Sequence, residues 1–377
     1  MSGGRIAFLI RSLGVGGAQR QLVELARGMH AAGRDVVVVT FYGGHALDAE
    51  LERAGVRHVV VGKRDRWDVV GFGRRLLAVL RAERPAIVHG YLPDANLLLA
   101  VLRPLLRGAR VVWGVRASSV DFSVYDRAAR SLFAATRVAA RAADLIICNS
   151  WVGAEFHAAQ GYPAERMTVV PNGIDVCRFR PDPAAGVRAR AEWGIDVDAP
   201  VIGLVGRWDA MKDHATFVRA AARLVSSCPA TRFVFVGEGP AAYVDGVTAL
   251  ATELGVADRI KWSPPRRDVE AVYNALDLLT LCSRFGEGFP NVVGEAMACG
   301  TACVVTDVGD AARVVGDTGE SVPIGDHAAL ADAWARSLRV ARDADVRERC
   351  RERITANFDL ASLLRNTEAA LARLDAS

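Results

Sequence analysis

Short apolar runs alternate with longer, mixed polar and apolar stretches along almost the whole chain. Arg5–Ile10, Val36–Thr40, His58–Val61, Ala86–Gly90, Val111–Val115 and Leu145–Cys148 are each four to six residues long and nearly free of charge. That is the pattern of strands buried on both faces of a parallel sheet. Between them lie stretches of helical character, at Gln19–Ala32, Ala46–Ala54, Trp67–Glu83, Asp94–Leu106 and Asp121–Ala142. The run Thr168-Val-Val-Pro-Asn-Gly-Ile-Asp175 breaks the rhythm with Pro and Asn-Gly, which are strong turn signals. A helix over Ala184–Trp193 ends at Gly194, and the alternation then restarts with Val201–Val205, Asp213–Val225 and Arg232–Val236. Asp277–Leu281 and Ala302–Thr306 are further strands, Ala328–Ala356 reads as helices, and a last helix starts near Asn357. Strands alternating with helices predict an α/β chain with doubly wound parallel sheets. The break near 168–175 divides it into domains at 1–172 and 173–357.

Composition adds bounds. A chain of 377 residues with 51% hydrophobic side chains has enough material for two cores. Its longest apolar candidate, Leu97–Leu106, is short and broken by Arg103 and Pro104, so no membrane span is expected. Met1–Arg11 lacks the apolar core of a signal peptide, which points to a cytoplasmic protein. The seven Cys are scattered, mostly among apolar neighbours, and read as buried thiols in a reducing compartment. Charge is unevenly spread. Residues 1–170 carry 23 Arg/Lys against 14 Asp/Glu, a surplus of nine, while the rest carry 24 against 29. A basic N-terminal half suits an anionic partner. Only three of the 47 basic residues are Lys, so part of the surplus reflects a preference for Arg. A nucleic-acid partner is not expected.

The candidate chemistry gathers where strands end, as it does in doubly wound sheets. From Cys282 to Thr306 a strand runs through a Gly-rich loop into a helix starting near Pro290, and then into another strand. Nearly everything in that helix is apolar or small except Glu295, and Glu287 sits in the loop before it. Carboxylates accept hydrogen bonds from hydroxyls and a helix N-terminus attracts phosphate, so a phosphorylated polyol such as a nucleotide-sugar fits both. In the plainer reading, Glu287 complements the helix dipole and Glu295 meets a buried Arg. Gly206-Arg207-Trp208 ends another strand with Lys212 five residues after Arg207, and two such cations can clamp a diphosphate. Near the N-terminus Gly14, Gly16 and Gly17 open a helix. Their G-x-G-G spacing, with no acid after the next strand, argues against an NAD-binding loop. His89, Tyr91, Asp94 and Arg116 are the polar side chains near strand ends of the first domain. Arg127, Arg130, Arg137 and Arg141 fall on one side of the Asp121–Ala142 helix, a stripe that suits a membrane surface or a lipid diphosphate, or simply a solvated face.

The motif E-G-F-P-N-x-x-x-E, running from Glu287 to Glu295 and followed by Ala298-Cys-Gly-Thr301, resembles the donor-site signature of the retaining glycosyltransferases of family 4. The resemblance extends to Gly206-Arg207 and Lys212, and to Pro171-Asn-Gly-Ile-Asp175. It implies a GT-B fold, two Rossmann-like domains facing a central cleft, with a C-terminal helix of about 358–377 packing back on the first domain. It implies transfer of a sugar from a UDP- or GDP-sugar, with retention, without cofactor or metal. Arg207 and Lys212 would hold the diphosphate, and Glu287 and the backbone of Gly288, Phe289 and Pro290 the sugar. Glu295 would hold the ribose, with Gly206, Asn291, Gly16 and Gly17 completing the donor-binding set. His89, Tyr91, Asp94 and Arg116 become acceptor-pocket candidates. The chain departs from the family at His89-Gly-Tyr91, where H-x-H is common. A glycan or lipid-linked acceptor of an envelope polymer is expected, with peripheral contact at the inner face of the membrane. A nucleotide-sugar epimerase of the same fold, and a non-catalytic nucleotide-sugar-binding subunit, are the alternatives.

Overall fold

The structure, a computed structural model, describes residues 4–374 apart from 15, 66, 107 and 117–126. It divides into two compact units. Unit 1 comprises residues up to Gly173 and from Leu360 onward, and unit 2 is Ile174–Asp359.

Unit 1 holds seven strands: β1 (Ile6–Ile10), β2 (Val36–Thr40), β3 (Arg57–Val60), β4 (Ile87–Tyr91), β5 (Arg110–Val115), β6 (Leu145–Cys148) and β7 (Met167–Val169). All pair in parallel, in the order β3-β2-β1-β4-β5-β6-β7. The Val-rich runs are buried on both faces, as parallel strands covered by helices must be. The helix Leu360–Ala372 puts Leu363, Ala370 and Leu371 into the same core as Leu22, Val23 and Leu25 of the helix Gly17–Ala31.

Unit 2 repeats the plan with β8 (Val201–Val205), β9 (Arg232–Val236), β10 (Ile260–Ser263), β11 (Leu278–Leu281), β12 (Ala302–Thr306) and β13 (Glu320–Val322). The order is β10-β9-β8-β11-β12-β13. In each sheet the winding reverses once, between β1 and β4 and between β8 and β11. Loops leaving the carboxyl ends of those neighbours diverge and leave a crevice for ligands.

Several boundaries differ from the sequence reading, each for a local reason. The helix expected from Trp67 begins at Val69, because the Asp65 carboxylate accepts the N–H groups of Trp67 and Asp68 and closes a turn first. The helix expected from Asp94 begins at Leu92, with Pro93 in its first turn, and tightens to a 3₁₀ turn at Arg103–Leu105, around Pro104. Pro290 caps its helix rather than opening it: its ψ of 98° is extended, and the helix is Asn291–Ala298. Of the basic helix, Arg127–Ala139 is helical and Ala140–Ala142 is 3₁₀. Its start at Asp121 and the side chains of Arg127 and Arg130 lie outside the described residues.

Candidate active site

The end of β8 is fixed by its neighbours before any ligand is considered. The Gly206 N–H donates to Val236 O (3.0 Å) and the Trp208 N–H to Glu238 O (2.8 Å). The turn at Gly237 fits beneath only because it has no side chain: a Cβ there would stand 1.9 Å from the Gly206 carbonyl oxygen. Trp208 is buried, stacked on His214 (4.6 Å, 17° between planes) and tilted against Trp262. This aromatic wedge sets the direction in which the chain leaves the strand. Asp209 then caps a 3₁₀ turn at Ala210–Lys212, and Asp213, in the left-handed conformation, caps the helix His214–Leu224.

The loop after β11 meets that turn. Arg284 N–H donates to Met211 O (2.8 Å). Lys212 Nζ and Ser283 Oγ both donate to Oε1 of Glu287, at 2.5 and 2.6 Å. From the next strand, Thr306 Oγ1 donates to Ser283 O (2.7 Å) and Asp310 N–H to Gly288 O (3.1 Å). The Glu287 carboxylate is thus held from two strand ends, and the backbone on either side of it from a third. Burial alone would push its carboxyl up, but Lys212, Ser283 and the Arg207 charge outweigh burial and hold it below its ordinary value. It stays ionised at neutral pH.

Arg207 lies at the rim. Its side chain is 75% exposed and its guanidinium is 3.3 Å from Asp209. Phe289 points inward, its ring against Phe358 (5.2 Å), so only its backbone faces the loop. The Gly288 and Phe289 N–H groups have no hydrogen-bond partner among the described residues, and Pro290 has no N–H to give. Glu295 sits half-buried on the second turn of the helix Asn291–Ala298 and accepts from the Tyr273 hydroxyl at 2.7 Å. Burial, and then the Glu295 charge, push that phenol well above its ordinary value, so Tyr273 remains a neutral donor. The plainer reading of the sequence paired Glu295 with a buried Arg; the hydrogen bond described here comes from a Tyr on the helix Val269–Ala275.

In unit 1, three of the four candidates come together. His89 is buried between Phe8 (5.4 Å) and Tyr91 (4.8 Å), and neither ring nitrogen has a partner among the described residues. Burial, and then the nearby Arg116 charge, bring its imidazole down to about 3. The Arg116 guanidinium lies 4.8 Å over the Tyr91 ring and donates to Asn172 Oδ1 (3.0 Å). Asp94 stands apart, taking Arg11 at 3.1 Å in an exposed pair. Gly16 stands at the N-cap of the helix Gly17–Ala31 without a side-chain cap, and no acid occupies that helix's first turn. Ser150 caps the helix Trp151–Ala159, its Oγ accepting the Gly153 N–H (2.8 Å).

The sequence reading missed Ser283, Tyr273, Asn172 and the Trp208–His214 stack. Ser283 had a legible signal, four residues before Glu287 on the same loop. Tyr273 and Asn172 meet their partners only through the fold.

Residues 199–339 match the profile of group 1 glycosyl transferases, and residues 15–178 that of glycosyltransferase family 4. A D-inositol 3-phosphate glycosyltransferase of Thermomonospora curvata is 30% identical over 343 residues, 83% of this chain and 79% of the relative. Proteins of that name from Segniliparus rotundus and Nocardia farcinica are 36% and 37% identical, over 51% and 47% of this chain. Those two matches span only 42% and 40% of the relatives' own length. In shape the chain is similar to Anabaena Alr3699/HepE, solved in complex with UDP-glucose (TM-score 0.85, 21% identity, 98% of this chain and 100% of that one). It is also similar to sucrose-phosphate synthase from Thermosynechococcus elongatus (TM-score 0.82, 20% identity, 99% of both chains). Two parallel-sheet units with these likenesses constitute the GT-B fold. By sequence match and fold together, the chain belongs to glycosyltransferase family 4.

Proposed function

We propose that the chain transfers a glycosyl group from a UDP- or GDP-sugar to a glycan or lipid-linked acceptor, with retention and without a metal ion. The observation that carries this reading is the Lys212–Glu287 pair, built from two loops that flank the β8/β11 reversal. Unit 2 takes the donor. Arg207 and Lys212 face the diphosphate and neutralise the charge that grows on it as the anomeric C–O bond breaks. Glu287 and the Gly288 and Phe289 N–H groups take the sugar hydroxyls, and Glu295 the ribose. Gly206 shapes the turn after β8, Pro290 and Asn291 shape the loop of Glu287, and the helix N-terminus at Gly16 and Gly17 is assigned to the donor's anionic part. The acceptor oxygen forms the new bond on the same face of the sugar, and its proton leaves with the diphosphate. No protein nucleophile is assigned.

Unit 1 takes the acceptor, with His89, Tyr91 and Arg116 near it and Asp94 at its edge. An anionic acceptor suits the basic charge of this half, and the relatives are named for a phosphorylated polyol. Among the described residues no helix is long and apolar enough to cross a membrane, so the membrane contact we propose, at the inner face, is peripheral.

Thermal shift against UDP-, GDP-, ADP- and dTDP-sugars tests the donor site. A ligand at 100 times its dissociation constant adds about 2.7 kcal/mol of stability. One nucleotide should stabilise the wild type and leave Lys212→Ala unmoved. A panel with no effect, or an equal shift in the variant, would overturn the assignment.

A further inference from the structure

After β3 the chain folds into a small knuckle whose two carboxylates bond its own backbone and whose apolar side chains face solvent. The Asp68 carboxylate accepts the Arg64 N–H (3.0 Å) and the Arg75 guanidinium (2.5 Å). Arg75 also donates to Gly62 O (2.9 Å), tying the start of the helix Val69–Glu83 to the end of β3. The Asp65 carboxylate accepts the Trp67 and Asp68 N–H groups. Both acids are therefore spent on the knuckle's own backbone and on Arg75. What it shows to solvent is Trp67 (79% exposed), Val69 (65%) and Val70 (75%), with Val60 (47%) at the end of the adjoining strand. Arg64 and Arg74 are exposed beside them, and neither has an ion-pair partner among the described residues. A hydrogen-bonded turn that holds a Trp and two Val out in water is not a fold requirement, since nothing in the core depends on them.

We infer that this knuckle seats in the interface of an anionic lipid bilayer. Three side chains cannot supply the roughly 800 Å² per partner of a stable protein interface, whereas one Trp with small aliphatic neighbours suits the headgroup boundary. Unpaired arginines at its flanks match the negative surface of such a bilayer. The place in the fold agrees. β3 is the edge of the sheet, and its carboxyl end is the end at which His89 and Tyr91 lie, three strand spacings away, or about 14 Å. A surface anchored at Trp67 would present lipid-linked molecules to that end. The inference rests on the membrane-facing reading of unit 1 given above and is independent of the donor assignment.

The test is co-sedimentation with vesicles of phosphatidylglycerol mixed with phosphatidylcholine, and with phosphatidylcholine alone, at low salt. Wild type should sediment with the anionic vesicles and Trp67→Ala/Val69→Ser/Val70→Ser should lose at least fivefold in partitioning. Brominated acyl chains should quench part of the tryptophan fluorescence of the wild type, and that quenched part should be missing in Trp67→Phe. Equal sedimentation of the triple variant would overturn the knuckle while leaving a membrane contact elsewhere in unit 1. Failure of the wild type to bind either vesicle would overturn both the knuckle and the membrane reading. A nucleotide-sugar thermal shift unchanged in the triple variant would show that it is folded and that the donor site stands apart.

Discussion

The Lys212 ammonium stands 2.5 Å from Glu287 Oε1 across 75 residues of sequence, with only 13% and 10% of the two side chains exposed. The pair fixes the ammonium in place, and on the proposed assignment its remaining donors are already positioned for a diphosphate. Removing one partner strands the other. Lys212→Ala should lose about 3 kcal/mol in urea unfolding, as breaking a buried ion pair does. Lys212→Met/Glu287→Gln, with no charge left to desolvate, should recover more than half of that without recovering turnover. A single variant as stable as the double would mean the pair is screened by solvent. Because the folded Glu287 carboxyl is depressed, its contribution is present above its unfolded pKa and is lost as pH falls through the folded one.

His214 gives the fold a second, separate acid sensitivity. It lies against Trp208, with Nδ1 3.3 Å from the Tyr243 hydroxyl; burial, and then the Lys212 charge, bring it down to about 4. The unfolded chain takes up that proton near pH 6.5, before the folded one does. Stability is therefore full above that value and falls as pH drops from there towards 4. Between pH 7 and 5 His214 alone should remove about 2 kcal/mol. His89, brought down to about 3, has the same sign. The urea midpoint of His214→Phe should fall less between those pH values than that of the wild type, keeping the part due to His89. An undiminished slope would show that His214 is reached by water.

Gly309 couples the end of β12 to the loop that carries Glu287. Its φ is +54°, and a Cβ would lie 2.2 Å from the Glu287 carbonyl oxygen. Gly309→Ala has to strain the backbone and displace Glu287. Backbone strain of this kind costs about 1–3 kcal/mol. The variant should fold, with a far-UV spectrum like the wild type, yet lose at least tenfold in kcat/KM for the donor. Wild-type kcat/KM would show that the loop relaxes without moving the carboxylate.

How legible this was depends on the range of the interactions. β2, β6, β8, β9 and β12 have the bounds their apolar runs suggest, because in a parallel sheet the run itself is what is buried. Helix starts were harder, since they turn on single side chains: Asp65 delays one to Val69, and the extended ψ of Pro290 moves another to Asn291. The motif residues were readable one by one. That Lys212 reaches Glu287 rather than solvent, and that Asp94 turns to Arg11 rather than to His89, are long-range facts of packing. The knuckle at Trp67 was hidden because its residues continue the helical pattern of Val69–Glu83.

Tyr273 offers the cleanest separation of binding from chemistry. Its hydroxyl is buried and donates to Glu295 Oε2 at 2.7 Å. On the proposed assignment Glu295 meets the donor ribose, away from the bond that breaks, so its contribution is the same in the ground state and the transition state. Such uniform binding sets KM and leaves kcat alone. Tyr273→Phe keeps the ring against Phe179 and removes one hydrogen bond to a charged acceptor, worth about 1.5–3 kcal/mol. Donor KM should rise roughly tenfold or more, at the lower end of that range, with kcat within a factor of two. Glu295→Gln, which keeps an oxygen acceptor for Tyr273, should raise KM less than Glu295→Ala. A fall in kcat with KM unchanged would instead place Glu295 beside the reacting bond, and the ribose assignment would have to be given up.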